Sequence, residues 1–254
     1  MRSFEDLVAE AEAAPVDGWD FSWFAGRATE ERPAWGYARL LIARLAGADT
    51  ALDVQTGGGE VFTECLGRAA RRPAVVLATE GWAPNAALAR VALAPFGGRV
   101  HEVGERDPLP LADSTVDLVS SRHPVARGWD ELARVLRPGG TYLSQGVGRG
   151  SNRELAEFLL GPQPDVGQPT LAEEVAAATA AGLQVVDARE QSTRVEFTDV
   201  GAVVHFLRKV VWTVPGFSVE EHRARLASLH DRIRRDGSFV CHSHRQLIEA
   251  RRPR

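Results

Sequence analysis

Between residues 50 and 145, short apolar runs alternate with segments of helical periodicity, and this alternation leaves few folds open to the chain. Five segments read as strands: 50–54, which is a short apolar run, and 74–79, 98–103, 116–120 and 140–145. Three helical patterns lie between them: 60–70, 85–94 and 129–136. Continuous apolar runs of this kind are typical of parallel strands that helices cover on both faces. The pattern therefore predicts a mixed α/β fold.

The remaining residues extend this fold, and we predict a single domain over 1–254. Residues 1–46 read as an N-terminal helical cap, and 47–150 form the core. Residues 151–254 supply further strands and a helical insertion near 199–236. The segment 238–251 alternates polar and apolar side chains, which predicts a closing strand.

Composition excludes several classes of protein. The chain is 44% hydrophobic and 25% charged, as soluble globular proteins are. Its 30 basic and 34 acidic residues give a net charge of −4, which argues against a nucleic-acid or anionic-membrane partner. Only two cysteines occur, no signal peptide is recognisable and no apolar run approaches membrane-spanning length, so a cytoplasmic location is predicted. Arginine makes up nearly all of the basic set, and with abundant alanine and glycine this indicates a bacterial source.

The segment LDVQTGGGE, residues 52–60, follows the first predicted core strand and opens a helix. Glycines allow a tight turn and a close approach of the backbone to a ligand, and a helix start offers free N–H groups. Asp53 lies before the glycines, where a carboxylate repels a pyrophosphate and attracts an amine. Glu80 ends the next strand, where it can accept hydrogen bonds from ribose hydroxyls. The spacing differs from the dinucleotide pattern G-x-G-x-x-G, so the favoured ligand carries a ribose and an amino-acid cation.

Four ordered blocks carry a family resemblance: LDVQTGGGE (52–60), ATEGW (78–82), LPLADSTVDLVSSRH (109–123) and ELARVLRPGGTYL (131–143). On these blocks the chain resembles class I S-adenosylmethionine-dependent methyltransferases, especially those similar to ubiquinone- and menaquinone-biosynthesis enzymes. The resemblance implies a Rossmann-like seven-stranded sheet with an antiparallel last strand. It also implies S-adenosyl-L-methionine as the cofactor.

The resemblance assigns roles residue by residue. Asp53 would orient the methionine amine and Glu80 would bind the ribose. The turn beneath the cofactor would be formed by Thr56, Gly57, Gly58 and Gly59. Gly81 and Trp82 would lie beside the adenine, and Glu105, followed by Arg106, would bind the adenine amino group. Ser121, Arg122 and His123 would face the transferred methyl group.

One position departs from the family pattern. Gln55 stands where the motif has glycine, so its side chain must point away from the cofactor, fill part of the site or bind the methionine carboxylate.

Several further residues are candidates for chemistry or binding. His123 follows a strand end, where open α/β sheets place their ligands, and is the candidate general base; a hydrogen-bonded loop histidine is the alternative. Arg27 is a candidate for the cofactor carboxylate, or a solvated arginine. Aromatic residues are concentrated before the glycine motif, as an acceptor-binding wall or a packed core; these include Trp19, Trp23, Trp35 and Tyr37, of which the last three are the candidates for the acceptor.

The C-terminal Cys241–His244 segment has two histidines on one strand face, but no further cluster supports a metal site, so no metal is predicted. The sequence thus predicts a methyltransferase that acts on a small molecule through an O, N or C nucleophile. The alternatives are an RNA or protein methyltransferase and a non-catalytic protein that binds the cofactor.

Overall fold

The computed structural model describes residues 2–16, 21–165 and 167–254. The described strands are β1 Ala28–Glu30, β2 Thr50–Val54, β3 Val75–Glu80, β4 Arg99–Glu102, β5 Val116–Arg122, β6 Leu136–Val147, β7 Gln184–Phe197 and β8 Phe239–Arg251. The described helices are α1 Phe4–Ala13, α2 Tyr37–Leu45, α3 Glu60–Arg68, α4 Ala83–Leu93, α5 Trp129–Val135, α6 Arg153–Leu160, α7 Leu171–Ala180, α8 Val200–Lys209 and α9 Val219–Asp236.

The strands form one sheet in the order β1-β7-β8-β6-β5-β2-β3-β4. Neighbouring strands from β6 to β4 run parallel, and β8 runs antiparallel to β6. The predicted α/β fold and its reversed last strand are therefore confirmed. The sheet has eight strands and not the predicted seven, because the three residues of β1 pair with β7. Such a short, largely exposed strand has no apolar pattern that a sequence could reveal.

The order of connection reverses at β2, which lies between β5 and β3. In open α/β sheets, ligands bind beyond the carboxyl ends of the strands at this kind of switch point. β2 is buried along nearly its whole length, in keeping with its apolar sequence. The fold thus brings the ends of β2, β3 and β5, and the loops that follow them, to one edge of the sheet.

The chain divides into two compact units. The helical unit comprises Met1–Pro33, Arg149–Gly167 and Ser192–His244, and the sheet unit comprises Ala34–Gly148, Gln168–Gln191 and Arg245–Arg254. The helices α1 and α2, which the sequence grouped as one cap, fall in different units. The strands β7 and β8 each pass from one unit into the other along the chain.

In the helical unit, one apolar core is shared by α1, α6, α8 and α9. Arg27 connects two of its segments, since Nε lies 2.9 Å from Asp199 Oδ2 and Nη2 lies 3.0 Å from Glu10 Oε2. Asp199 also caps α8 by accepting a hydrogen bond from the backbone N–H of Ala202 at 2.8 Å. One carboxylate therefore holds both the start of α8 and the Arg27 side chain.

In the sheet unit, apolar side chains form two separate cores. One includes side chains of α2 and α3, such as Leu41 and Phe62, and the other includes side chains of α5 and α7, such as Leu132 and Ala178. The helix α7 begins with a capping box, in which Thr170 and Glu173 bind each other's backbone N–H.

We expect Asp199→Ala to lower the free energy of unfolding by about 2 kcal/mol, because it removes a helix cap and the partly buried partner of Arg27. Urea denaturation followed by circular dichroism measures the change. Glu5→Gln, which alters an exposed pair with Arg223, is the control and should change stability by less than about 0.5 kcal/mol. Equal effects of the two substitutions would contradict this role of Asp199.

Candidate cofactor-binding site

The turn between β2 and α3 has the backbone geometry that its glycines predict. Gly57 and Gly59 have φ angles of 64° and 83°, in the left-handed region that glycine adopts without strain. A Cβ on Gly59 would lie 3.5 Å from Ala89 Cα, so the turn packs closely against α4. No side chain caps the start of α3, and this leaves a helix N-terminus at the carboxyl edge of the sheet.

The two predicted acids lie at the ends of adjacent strands. Asp53 is 6% exposed near the end of β2, and Ser120 Oγ donates a hydrogen bond to its Oδ1 at 2.5 Å. Burial raises the pKa of Asp53 to about 6, against the opposing effect of the Ser120 hydrogen bond. The negative charge of Glu80 adds to the rise in this pKa. The Asp53 carboxylate is therefore a buried charge near neutral pH, and a cationic ligand would stabilise it.

Glu80 joins the glycine turn to the end of β3. Its Oε2 accepts a hydrogen bond from Gly57 N at 2.8 Å, and its Oε1 accepts one from Trp82 N at 3.0 Å. Burial raises the pKa of Glu80, while these backbone hydrogen bonds lower it. Each carboxylate oxygen retains a lone pair, so ligand hydroxyls can still bind there.

Two of the residues predicted to lie at the adenine, Glu105 and Arg106, line a small cavity. A Cβ on Gly81 would lie 3.1 Å from Val103 O, so glycine permits the close approach of these two loops. The cavity has a volume of about 60 Å³, and Glu105, Arg106 and Ser121 are among its lining residues. Pockets for small ligands usually enclose roughly 300–1,000 Å³. The cavity by itself is thus smaller than a nucleoside, and neither Asp53 nor Glu80 is among its lining residues.

Gln55 connects the glycine turn to the loop after β5. Its φ angle is 56°, which is uncommon for a residue with a Cβ. Its Oε1 accepts a hydrogen bond from Val125 N at 2.6 Å, and its Nε2 donates one to Ala126 O at 2.7 Å. The sequence left several placements open for this side chain. In the structure the side chain bridges the glycine turn and the loop after β5, and residues of both loops line the cavity.

His123 is held by a hydrogen-bonded chain. Its backbone N–H donates to Gln145 O at 2.7 Å, and its Nε2 lies 3.3 Å from Gln145 Nε2. Gln145 Oε1 accepts from Trp35 Nε1 at 2.8 Å, so the amide nitrogen of Gln145 faces the imidazole and His123 Nε2 acts as acceptor. Burial, together with nearby arginines, holds the pKa of His123 well below its usual range. The histidine is thus neutral, and its role as a base stays a prediction.

Of the predicted acceptor-contact residues, Trp35 and Tyr37 are buried and Trp23 is partly buried. Trp35 and Tyr37 are 4% and 5% exposed in the sheet unit, and Tyr37 OH donates to Ser121 O at 3.1 Å. Trp23 belongs to the helical unit, where its ring stacks on His205 with centroids 4.3 Å apart. Trp19 lies outside the described residues. A contact of any of these rings with an acceptor stays a prediction.

Arg27 has a structural role in the helical unit. Besides its pairs with Asp199 and Glu10, its guanidinium lies 3.9 Å from the ring centroid of Trp23. The pKa of Arg27 is raised by its hydrogen bonds to the two carboxylates, against the effect of burial. Binding of the cofactor carboxylate by Arg27 stays a prediction.

Sequence reasoning missed a buried ion pair near the cavity. Arg127, which lines the cavity, places Nη1 2.5 Å from Glu174 Oε1, and both side chains are almost fully buried. Trp129 Nε1 donates to Glu174 Oε2 at 2.8 Å. Gly146 leaves room for the guanidinium, which a Cβ at that position would overlap. The position of Arg127 after a strand end was the available signal, but Glu174 is distant in the sequence.

With this geometry established, comparison with known proteins identifies the class. Residues 52–144 match the family model described as a methyltransferase domain. The resemblance to class I S-adenosylmethionine-dependent methyltransferases is thereby confirmed, and the sheet has the fold of that class. No curated protein sequence matches the chain significantly.

Solved structures share the fold at low sequence identity. YcgJ from Bacillus subtilis is 14% identical with a TM-score of 0.57, over 86% of this chain and 98% of that protein. Geranyl diphosphate methyltransferase, solved with S-adenosylmethionine, is 17% identical with a TM-score of 0.52, over 85% and 84%. The [4+2]-cyclase SpnF is 15% identical with a TM-score of 0.55, over 98% and 93%. This fold therefore includes a protein described as a cyclase, and the reaction must be argued from the site.

The described residues contain neither a membrane-spanning helix nor a metal-binding cluster. None of the described helices is both long and apolar enough to cross a lipid bilayer. Among the same residues, no three His, Cys, Asp or Glu side chains are grouped so that they could hold a metal ion. His242, one of the histidines in the segment considered above, pairs its Nδ1 with Glu154 Oε1 at 2.7 Å.

The Asp53 carboxyl should make stability depend on pH. Its pKa is raised in the folded state, so its contribution is most favourable below about pH 4 and is lost as the pH rises through about 6. The shift from 3.8 to about 6 corresponds to a loss on the order of 3 kcal/mol. The free energy of unfolding of Asp53→Asn, measured by urea denaturation, should therefore rise relative to that of the parent protein as the pH increases from 4 to 7. If the free energies of unfolding of the two proteins changed equally with pH over that range, the raised pKa of Asp53 would be contradicted.

Proposed function

We propose that the chain binds S-adenosyl-L-methionine and transfers its methyl group to a small-molecule acceptor. The observation that carries this proposal is the pair of acids at the ends of β2 and β3. Asp53 and Glu80 flank a glycine turn within the segment that matches the methyltransferase domain family. The two carboxylates suit a ligand that has an ammonium group and a ribose.

The chemistry of the site residues fits this cofactor. Asp53, buried and ionised above about pH 6, would pair with the ammonium group, whose charge would offset the cost of its burial. Glu80 would accept hydrogen bonds from the ribose hydroxyls while it keeps its contact with Gly57 N. Gly81, Trp82, Glu105 and Arg106 would surround the adenine.

The cofactor, when bound, supplies an activated methyl group on a sulfonium. The chain's own contribution would be to position the two reactants, which is the larger part of catalysis for an in-line displacement. Ser120 keeps Asp53 oriented through a 2.5 Å hydrogen bond. His123, neutral and fixed by Gln145, would order the loop after β5 and would accept a proton only if its Nε2 left the Gln145 amide.

A small-molecule acceptor is supported by the charge of the chain. A net charge of −4 provides no general attraction for RNA, whose binding depends on basic residues. Geranyl diphosphate methyltransferase, which shares the fold, is named for a small molecule. A cytoplasmic location remains part of the proposal.

Glu80→Gln should weaken binding of S-adenosylhomocysteine, the product form of the cofactor, by about tenfold, because the ribose loses a charged acceptor. Isothermal titration calorimetry measures the dissociation constant. Glu102→Gln is the matched control, since Glu102 pairs with Glu80 in the β3–β4 register but bonds to Arg90. An unchanged dissociation constant in Glu80→Gln would refute the ribose contact.

Incubation with tritium-labelled S-adenosylmethionine should transfer label to a component of a small-metabolite extract. RNA and protein pools, treated in parallel, should stay unlabelled. Label in either pool would favour an RNA or protein methyltransferase. Tight cofactor binding with no transfer to any pool would favour the non-catalytic alternative.

A further inference from the structure

Gln55 makes a contact that a glycine could not make. It is the residue at which the turn after β2 departs from the family pattern, and both polar atoms of its amide bind the main chain of the loop after β5. The Oε1 atom accepts from Val125 N at 2.6 Å, and the Nε2 atom donates to Ala126 O at 2.7 Å. The side chain thus pairs with a peptide segment as a neighbouring strand would, with one donor and one acceptor.

Both loops joined by this contact hold unusual backbone conformations. Gln55 has a φ angle of 56°, and His123, two residues before Val125, has a φ angle of 58°. Left-handed conformations cost roughly 1 kcal/mol or more for residues with a Cβ, and they persist where surrounding contacts impose them. The two hydrogen bonds of Gln55, and the bond from His123 N to Gln145 O at 2.7 Å, are such contacts.

The contact also forms part of the wall of the cavity in the candidate site. Gln55 and Ala126 line this cavity together with Glu105, which was predicted to lie near the adenine. The cavity measures about 60 Å³, far below the roughly 300 Å³ at which small-ligand pockets begin. Separation of the two loops that Gln55 joins would enlarge the space that they enclose.

We propose that the Gln55 amide is a latch that closes the cofactor cleft, and that the cofactor binds only after the hydrogen bonds to Val125 and Ala126 are released. This inference rests on the proposed function, because it concerns the entry of the same ligand. A ligand that binds only the open form has an apparent affinity reduced by the fraction of molecules that are open. The latch therefore lowers affinity for the cofactor, in contrast to a residue that binds it directly.

Two substitutions of Gln55 test the latch. Gln55→Gly removes the side chain and suits the left-handed backbone. Gln55→Asn keeps an amide and tolerates that backbone but is one methylene too short to make both hydrogen bonds. We expect the dissociation constant for S-adenosylhomocysteine to fall about fivefold or more in both variants, as measured by titration calorimetry.

The control isolates the effect of backbone strain. Ser114 also has a left-handed backbone, with a φ angle of 57°, in a turn that does not line the cavity. Ser114→Gly relieves the same kind of strain and should leave the dissociation constant unchanged. If Ser114→Gly tightened binding as much as Gln55→Gly does, relief of strain would account for the gain and the latch would be refuted.

Hydrogen exchange of the ligand-free protein provides an independent measurement. The Val125 N–H donates to Gln55, so it should exchange at least about fivefold more slowly in the parent protein than in Gln55→Gly. Equal exchange rates would show that the latch does not form and would overturn the proposal.

The binding results separate this proposal from the proposed function. Binding by the Gln55 variants but not by the parent would support the latch in its strongest form. Binding by the parent, with equal or weaker binding by both variants, would overturn the latch and leave the proposed function standing. An absence of binding in all the proteins would overturn the proposed function and the latch with it.

Discussion

The buried carboxylate of Asp53 is the constraint on which the candidate site depends. It lies near the end of β2, the strand at which the sheet reverses its order, and Ser120 of the neighbouring strand is its hydrogen-bonding partner. Burial disfavours the ionised form of this carboxyl in the ligand-free protein and raises its pKa to about 6. Carboxyl groups with raised pKa values are common at functional sites, and a cationic ligand would stabilise the ionised form of Asp53.

The loops around Asp53 are connected to one another by hydrogen bonds. Glu80 holds the glycine turn through Gly57 N, and Gln55 holds the loop after β5 through Val125 and Ala126. Gln145 holds the same loop at His123. These contacts order the loops without filling the interior with apolar side chains. The same contacts determine how much space a ligand finds.

Much of the fold could be predicted because its signals are local. The strand β2 was predicted with the bounds that it has. The strand β1 was missed because three residues have no periodicity, and its pairing with β7 depends on a segment more than 160 residues away. The acids Asp53 and Glu80 were found because parallel strands bring their carboxyl ends to one edge of the sheet.

The sequence by itself determined the class of fold, the position of the glycine turn and the two acids beside it, since each follows from apolar periodicity or from residue type at a strand end. Only the tertiary structure decided where the Gln55 amide points, that His123 accepts from Gln145, and that Arg127 is buried against Glu174. Each of these contacts joins residues that are 22 to 71 positions apart in the chain. Hydrogen bonds between such distant groups depend on the positions of whole loops, and neither periodicity nor residue type contains that information.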